Sequence, residues 1–241
     1  MNWKKTTAAV VPCYNEEATI KQLLHGIGKH LKTIFVVDDG SGDSTGSEAL
    51  AGGALVLRHE KNRGKGAALH TGLCAASERG FSWAVLLDGD GQHCPADIPR
   101  LFSCAEMTGA QLVIGDRLRE RGSMSWLRRI VNFWMSRELS RLAGYPLRDS
   151  QCGFRLVNLG AWRALDFKTT RFEAESEMVL GFAAKRLRIE FVPVKTIPRT
   201  RPSHIHPLWD TWRWFKWRNS VKRDAAREHP PVLHQSKSLP A

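Results

Sequence analysis

Asp88 and Asp90 stand two residues apart, with Gly89 between them, directly after the apolar run Trp83–Leu87. Alternate residues just past a strand can aim two carboxylates into one space, and the glycine lets a bulky ligand approach the backbone. Such a pair of hard oxygen ligands suits Mg²⁺ or Mn²⁺, which complete their shells with water and substrate phosphate. Gln92 and His93 follow at once and could add a metal ligand or a hydrogen bond to phosphate. Alone, an Asp-x-Asp is also what a surface turn looks like, so its meaning depends on what stands beside it.

Other clusters carry compatible chemistry. Asn62-Arg-Gly-Lys65-Gly66 places a lysine between two glycines directly before a helical stretch. That arrangement offers a cation and free backbone N–H groups to a phosphate. It is no Walker loop, because GxxxxGK[ST] is absent. Asp38 and Asp39 close an apolar run ahead of Gly40-Ser-Gly, and Tyr14-Asn15-Glu16 closes another. One of the two aspartates could hydrogen-bond a nucleoside base or ribose edge. A turn that caps the next helix is the plain alternative, above all for Asp43.

The elements that must position these residues alternate along the first half. Ala8–Pro12, Thr33–Val37, Ala54–Leu57, Trp83–Leu87 and Gln111–Ile114 read as strands. Between them, Ile20, Leu23, Leu24, Ile27 and Leu31 mark one face of a helix, and Asp43-Ser-Thr starts a short one. Lys65–Gly80 and a stretch from Pro95 to about Met107 read as two further helices. Alternating strands and helices predict a mostly parallel sheet covered on both faces, an α/β fold that binds ligands beyond the carboxyl ends of its strands. Three polar clusters fall at three such ends, which points to one shared cleft.

The second half differs. Met124–Leu142 reads as a helix whose apolar residues spread widely around it, flanked by Arg128, Arg129, Arg137 and Arg141. Ala174–Lys185, Ile189–Val194 and Pro207–Arg227 read as helix, strand and helix, and 229–241 as a disordered tail. No linker divides residues 1–228, which are expected to form one domain. Its nucleotide-binding half would run to about 116 and its acceptor-side half from 117 to 228.

Composition is that of a globular protein, 42% apolar and 25% charged, but the net charge is +12. Such a surplus fits a polyanionic partner: nucleic acid, an anionic membrane surface or phosphorylated ligands. Five cysteines without ligand spacing make a zinc site unexpected and fit reduced thiols. No apolar run reaches the length of a membrane span. The N-terminal Lys4 and Lys5 precede a first strand rather than a leader, so a cytoplasmic protein is expected.

Five segments occur in an order that resembles a known family. They are Val11-Pro-Cys-Tyr-Asn-Glu-Glu17, Val36-Val-Asp-Asp-Gly-Ser41, Asn62-Arg-Gly-Lys-Gly-Ala-Ala68, Asp88-Gly-Asp-Gly-Gln-His93 and Gly115-Asp-Arg117. Together they resemble the family 2 glycosyltransferases, especially the dolichyl- or polyprenyl-phosphate mannose and glucose synthase branch, over roughly residues 7–220. Asp149-Ser-Gln-Cys-Gly-Phe-Arg155 is similar to that branch's glycine-phenylalanine-arginine segment. Glu177, ahead of Val192-Pro193, is similar to its helix-borne glutamate.

The resemblance implies a GT-A fold and inverting transfer from a GDP- or UDP-linked sugar. It implies that Pro12, Tyr14, Asn15, Glu16, Val37 and Asp39 line the nucleoside site, with Lys65 and Arg199 on the donor. Asp88, Gly89 and Asp90 would hold the diphosphate through a divalent metal, with Gln92 near it. Arg117 would meet acceptor or diphosphate oxygens, and Glu177 would join the catalytic set. Two departures stand out. Gly89 replaces a frequent alanine, which reads as a minor change, and Arg199-Thr-Arg201-Pro-Ser-His204 replaces a loop that usually ends in lysine.

Charge and aromatics bear on the acceptor. Residues 117–155 hold nine arginines against three acids, and 195–227 hold nine Lys or Arg against two aspartates. Trp214 and Trp217 lie on a face of the last helix that the core does not need, a composition suited to a membrane surface. Arg128, Arg129, Arg155, Arg201 and His204 are assigned to the same acceptor side. The expectation is a protein at the cytoplasmic membrane face with a lipid-phosphate acceptor, no nucleic acid, and an oligomeric state left open. A phosphate acceptor is already anionic; a hydroxyl acceptor would need a base, for which Glu175, Glu177 and Asp149 are candidates. Two rivals remain at this level: a non-catalytic basic protein binding nucleic acid or membrane, and a sugar nucleotidyltransferase, whose glycine-rich N-terminal loop is missing here.

Overall fold

The apolar runs that end in acids are the strands of one sheet. A computed structural model of the chain describes residues 1–118, 126–165, 173–198 and 213–220, with the backbone alone at 126–128. Its strands are β1 (Thr7–Cys13), β2 (Ile34–Asp38), β3 (Leu55–Arg58), β4 (Trp83–Leu86), β5 (Leu112–Asp116), β6 (Arg155–Asn158) and β7 (Ile189–Pro193). They lie in the order β3-β2-β1-β4-β6-β5-β7. The pairs β1/β2, β2/β3, β1/β4 and β5/β7 are parallel, while β6 runs antiparallel between β4 and β5.

The parallel strands are continuous apolar runs because both faces are covered. Every residue of β1 is buried, as is every residue of β2, β4 and β5. The third strand lies at the edge of the sheet, with Leu55 and Arg58 exposed. The helices are α1 (Trp3–Thr6), α2 (Glu17–Gly28), α3 (Thr45–Ala51), α4 (Lys65–Glu78), α5 (Ile98–Thr108), α6 (Trp126–Ala143), α7 (Leu159–Arg163) and α8 (Ala174–Ala184). Pro95–Asp97 forms a 3₁₀ turn that leads into α5. The apolar face read for α2 is the buried one, Ile20, Leu23, Leu24 and Ile27.

Packing explains the small residues of α4. Gly66, Ala67, Ala68, Gly72 and Ala76 are buried in that helix, which lies on β1 and β2. A methyl group at Gly72 would run into Val10. Close approach of helix to sheet sets the N-terminus of α4, and Lys65 with it, beside the strand ends. Ser203–Ala241 separates as a second compact unit. Within it residues 213–220 are helical; Trp214, expected on a face free for a membrane surface, is instead 2% exposed, its ring 5.8 Å from Phe215 and 6.3 Å from Trp217.

Candidate active site

The ends of β1, β2 and β4 bring their polar residues to one edge of the sheet. After β2 the two aspartates separate in role. Asp38 is fully buried; its Oδ1 accepts from the Ser41 N–H at 2.9 Å, and Arg58 lies 3.6 Å from Oδ2. Asp39 is 3% exposed, and both its oxygens are used. Oδ1 meets His59 Nδ1 at 2.6 Å and the Arg63 N–H at 2.9 Å, and Oδ2 takes the Gly64 N–H at 2.8 Å. Asp39 therefore ties the Asn62–Gly64 loop to the end of β2. The far side of His59 reaches Thr71 Oγ1 at 3.0 Å.

After β1 the chain turns through Asn15, whose φ of 55° is left-handed, a region asparagine tolerates. The Asn15 N–H donates to Ser41 Oγ and its side-chain carbonyl accepts from the Gly42 N–H, which locks this turn to the one after β2. Glu16 donates its N–H to Thr45 Oγ1. Tyr14 is exposed and Glu16 nearly buried, so the two differ in what they offer the cleft. Val37, expected to line the nucleoside site, has its side chain wholly in the core. The inward pleat of β2 dictates this and leaves only its backbone to meet a ligand. Pro12 is buried beside it on β1.

The centre of the site is Asp88, just past β4. Lys65 Nζ lies 2.6 Å from Asp88 Oδ1 and 2.5 Å from Glu175 Oε1. His93 Nε2 is 3.3 Å from Asp88 Oδ2, and its Nδ1 is buried with no hydrogen-bond partner. Burial opposes the charge on Asp88, but the Lys65 ammonium and the His93 hydrogen bond outweigh it and hold the carboxyl far below the usual carboxylate range. Burial likewise opposes the charge on Lys65, and Asp88 and Glu175 together raise its pKa above the ordinary lysine value.

Glycines shape this centre. A Cβ at Gly153 would stand 2.6–2.7 Å from the Asp88 carboxylate oxygens, so the acid rests on bare backbone. One at Gly89 would stand 2.5 Å from Cys13 Sγ and 3.2 Å from the Pro12 carbonyl oxygen. The change from alanine read as minor is, in this chain, matched to Cys13. The Gly89 carbonyl accepts from Thr19 Oγ1 at 2.7 Å. Asp90 Oδ1 accepts from the Gln92 N–H at 3.1 Å, an Asx turn that places both residues at the mouth, and the Gln92 carbonyl pairs with the Ile197 N–H.

The second half supplies the opposite wall, and here one assignment is corrected. Arg155, assigned to the acceptor or membrane side, is fully buried. Its guanidinium donates to the carbonyls of Cys152 (2.7 Å), Glu175 (2.8 Å) and Ser150 (2.7 Å). Three converging carbonyls offset part of the cost of desolvating it, and they make it a clamp between the 150–153 segment and the first turn of α8. On α8 it is Glu175 that reaches Lys65; Glu177, expected in the catalytic set, is half-buried two positions on and faces a different way.

Arg117, after β5, is held in a bidentate pair with Asp149, its Nε 2.9 Å from Oδ2 and its Nη2 3.0 Å from Oδ1. Asn132 of α6 adds 2.9 Å to Oδ1. Burial would raise the Asp149 carboxyl, but Arg117 outweighs it and lowers it. Arg129 reaches the Leu118 carbonyl at 3.4 Å. The Arg128 side chain, Arg199, Arg201 and His204 lie outside the described residues.

Gly153 stands inside the Asp149–Arg155 segment quoted above, yet its approach to Asp88 has no signal in the sequence, nor has the pairing of Glu175 with Lys65. Among the described residues no group of three or more His, Cys, Asp or Glu could hold a metal ion by itself. The donor set at the mouth is two carboxylates, Asp88 and Asp90. This fits a hard divalent cation that takes the rest of its shell from phosphate and water. Cys13 and Cys152 are buried, and burial raises both thiols, Cys152 to about 12, so neither supplies a thiolate at neutral pH.

The family model described as Glycosyl transferase family 2 matches residues 8–166. The UDP-N-acetylglucosamine–dolichyl-phosphate N-acetylglucosaminyltransferase of Methanococcus voltae is 31% identical over 211 residues, covering 78% of this chain and 84% of that protein. The undecaprenyl-phosphate mannosyltransferase of Micrococcus luteus is 31% identical over 209 residues, covering 79% and 83%. Among solved structures, the glucosyl-3-phosphoglycerate synthase of Mycobacterium tuberculosis with Mn²⁺, UDP-glucose and phosphoglyceric acid superposes with a TM-score of 0.70. That match is 25% identical and covers 89% of this chain and 79% of that one.

Proposed function

The chain belongs to glycosyl transferase family 2 and has the GT-A fold, and from that premise we propose that it transfers a sugar, with inversion, from a nucleoside-diphosphate sugar to a polyprenyl phosphate. Family membership sets aside the non-catalytic basic protein and the nucleotidyltransferase. One observation carries the donor side: Asp88 lies at the carboxyl end of a parallel strand, paired with the Lys65 ammonium, with Asp90 two residues beyond it. Such a pair would hold Mg²⁺ or Mn²⁺ on the donor diphosphate. When bound, the metal would stabilise the charge that grows on the leaving diphosphate. The Tyr14–Glu16 turn and the Asp39-held loop would frame the nucleoside, and Arg117 faces the same space from the other wall.

The acceptor follows from what the acids on that wall can do. A hydroxyl acceptor needs a base whose pKa lies near the working pH. Asp149 is clamped by Arg117 and Asn132 and its carboxyl is lowered, while Glu175 already binds the Lys65 ammonium. Asp149 is therefore not poised to take a proton. An acceptor that arrives as a phosphate anion needs none, and the named relatives act on dolichyl and undecaprenyl phosphates.

A lipid acceptor places the enzyme at a membrane surface, and the reading puts it on the cytoplasmic face. Among the described residues no helix is long and apolar enough to span a bilayer. On α6, Ile130 and Phe133 are exposed one turn apart, and Arg137 and Arg141 share their face. Apolar and cationic side chains together suit the boundary of an anionic bilayer.

The test measures release of nucleoside diphosphate from UDP- and GDP-sugars, with Mn²⁺ or Mg²⁺, in the presence and absence of polyprenyl phosphate in vesicles. Release that depends on both metal and lipid phosphate is expected. Equal turnover with a soluble hydroxyl acceptor, or turnover undiminished by EDTA, would overturn the reading.

A further inference from the structure

Lys65 is engaged more heavily than a donor contact requires. Its ammonium joins two carboxylates from opposite walls, Asp88 at 2.6 Å and Glu175 at 2.5 Å, with its side chain only 18% exposed. Beside it, Glu175 Oε2 is buried and has no hydrogen-bond partner. An ammonium carries three N–H donors and a carboxylate oxygen left unpaired in the interior is costly. The cluster thus holds a cation on one oxygen of Glu175 and a vacant acceptor on the other.

We propose that Lys65 is the exchangeable counter-ion of the metal site: it holds Asp88 before the divalent cation arrives, and passes wholly onto Glu175 when the cation takes Asp88. The inference rests on the donor-site reading above. An ammonium and a divalent cation on one carboxylate repel each other strongly in a poorly solvated cleft. Glu175 Oε2 gives the displaced ammonium a second oxygen, so the exchange leaves no carboxylate without a cation. The movement also couples the two walls. Glu175 sits in the first turn of α8, where Arg155 binds its carbonyl and Ser176 Oγ accepts from Gln151 at 2.9 Å. Loading of the donor site is thereby felt by the 150–153 segment on the acceptor side. Lys65 and Glu175 are positioning residues for the metal.

The experiment measures Mn²⁺ affinity of the full chain, without and with UDP or GDP, by the electron paramagnetic resonance signal of free Mn²⁺. Wild type, Lys65→Met, Glu175→Gln and the double variant are compared. Lys65→Met should bind Mn²⁺ about tenfold more tightly, and Glu175→Gln about tenfold more weakly, because the ammonium then has only Asp88. In the Lys65→Met background, Glu175→Gln should change affinity by less than about twofold, because its effect passes through the lysine. A simple field effect of two independent charges would give the same Glu175→Gln change in both backgrounds and would overturn the proposal, as would weaker binding by Lys65→Met. Should Lys65→Met fail to fold, Lys65→Gln replaces it with the same expected outcome. Wild type that binds no Mn²⁺ even with UDP or with GDP defeats the donor-site reading itself, and this inference with it. Binding by wild type with additive variants defeats the inference alone.

Discussion

The two walls of the cleft hold their charged groups by different means. On the donor wall turn N–H groups share the holding with side chains: Asp39 takes those of Arg63 and Gly64 beside His59, Asp38 takes that of Ser41 beside Arg58, and Asp88 rests on Lys65 and His93. On the acceptor wall a long side chain spans each gap. Asp149 is fixed by Arg117 and Asn132, and Arg155 pins the carbonyls of three residues. Main-chain donors come with the turn and survive substitution of their neighbours. Side-chain partners vanish with one codon and leave a buried charge behind. Substitutions on the donor wall should therefore cost chemistry and spare the fold, and those on the acceptor wall should do the reverse.

The largest effect tests the first half of that contrast. Asp88→Asn removes a charge and keeps the shape, and Glu175 still neutralises Lys65. Nucleoside diphosphate release should fall roughly 10³-fold while the urea midpoint stays near that of wild type; a large loss of stability instead would erase the distinction between the walls. Arg155→Met tests the other half. It leaves three carbonyls without their donor and should cost about 3–5 kcal/mol in urea unfolding. Arg155→Lys should recover only part, since an ammonium lacks the planar fork.

Asp149 adds a pH signature to the acceptor wall. Its folded carboxyl lies below the ordinary value, so its stabilisation is complete above the unfolded value of about 3.9 and is lost as pH falls further through the folded value. Asp149→Asn should cost about 2–3 kcal/mol at pH 7. The gap to wild type should narrow only below about pH 4, and a gap that closes between pH 7 and 5 would assign the effect to another group. Gly89→Ala is the donor wall's own exception, because here packing rather than hydrogen bonding is at stake. It should cost about 1–3 kcal/mol in thermal unfolding, and Cys13→Ala in the same chain should restore most of it. No recovery would mean that the Pro12 carbonyl, not the thiol, sets the limit.

The same contrast explains what could be read from the chain. Donor-wall acids follow apolar runs directly, so β1, β2 and β4 and their terminal clusters were legible from contiguous residues. Their burial on both faces makes those runs unmistakable. On the acceptor wall β6 escaped notice: it is four residues long, begins with a buried arginine and runs against its neighbours. Nothing in a short segment reveals that it fills the slot between β4 and β5. Arg155 looked like a surface cation because its charge is visible in sequence and its three carbonyl partners are not. Glu175 shares a face with the buried Met178, Val179 and Phe182, so its inward turn was legible from spacing; its partner Lys65, on a helix far earlier in the chain, was not. Short α7 carried too few periods to show.

Gly153 has a consequence for how this site tolerates change. Its backbone angle is ordinary, so nothing local reserves the position for glycine; what reserves it is the Asp88 carboxylate lying where a side chain would begin. The position thus behaves as part of the acid's binding surface although it contributes no functional group. Any attempt to graft this cleft onto another scaffold, or to drift its sequence, has to carry that empty volume along with the acids, because the metal-side carboxylate is aimed partly by an atom the chain leaves out.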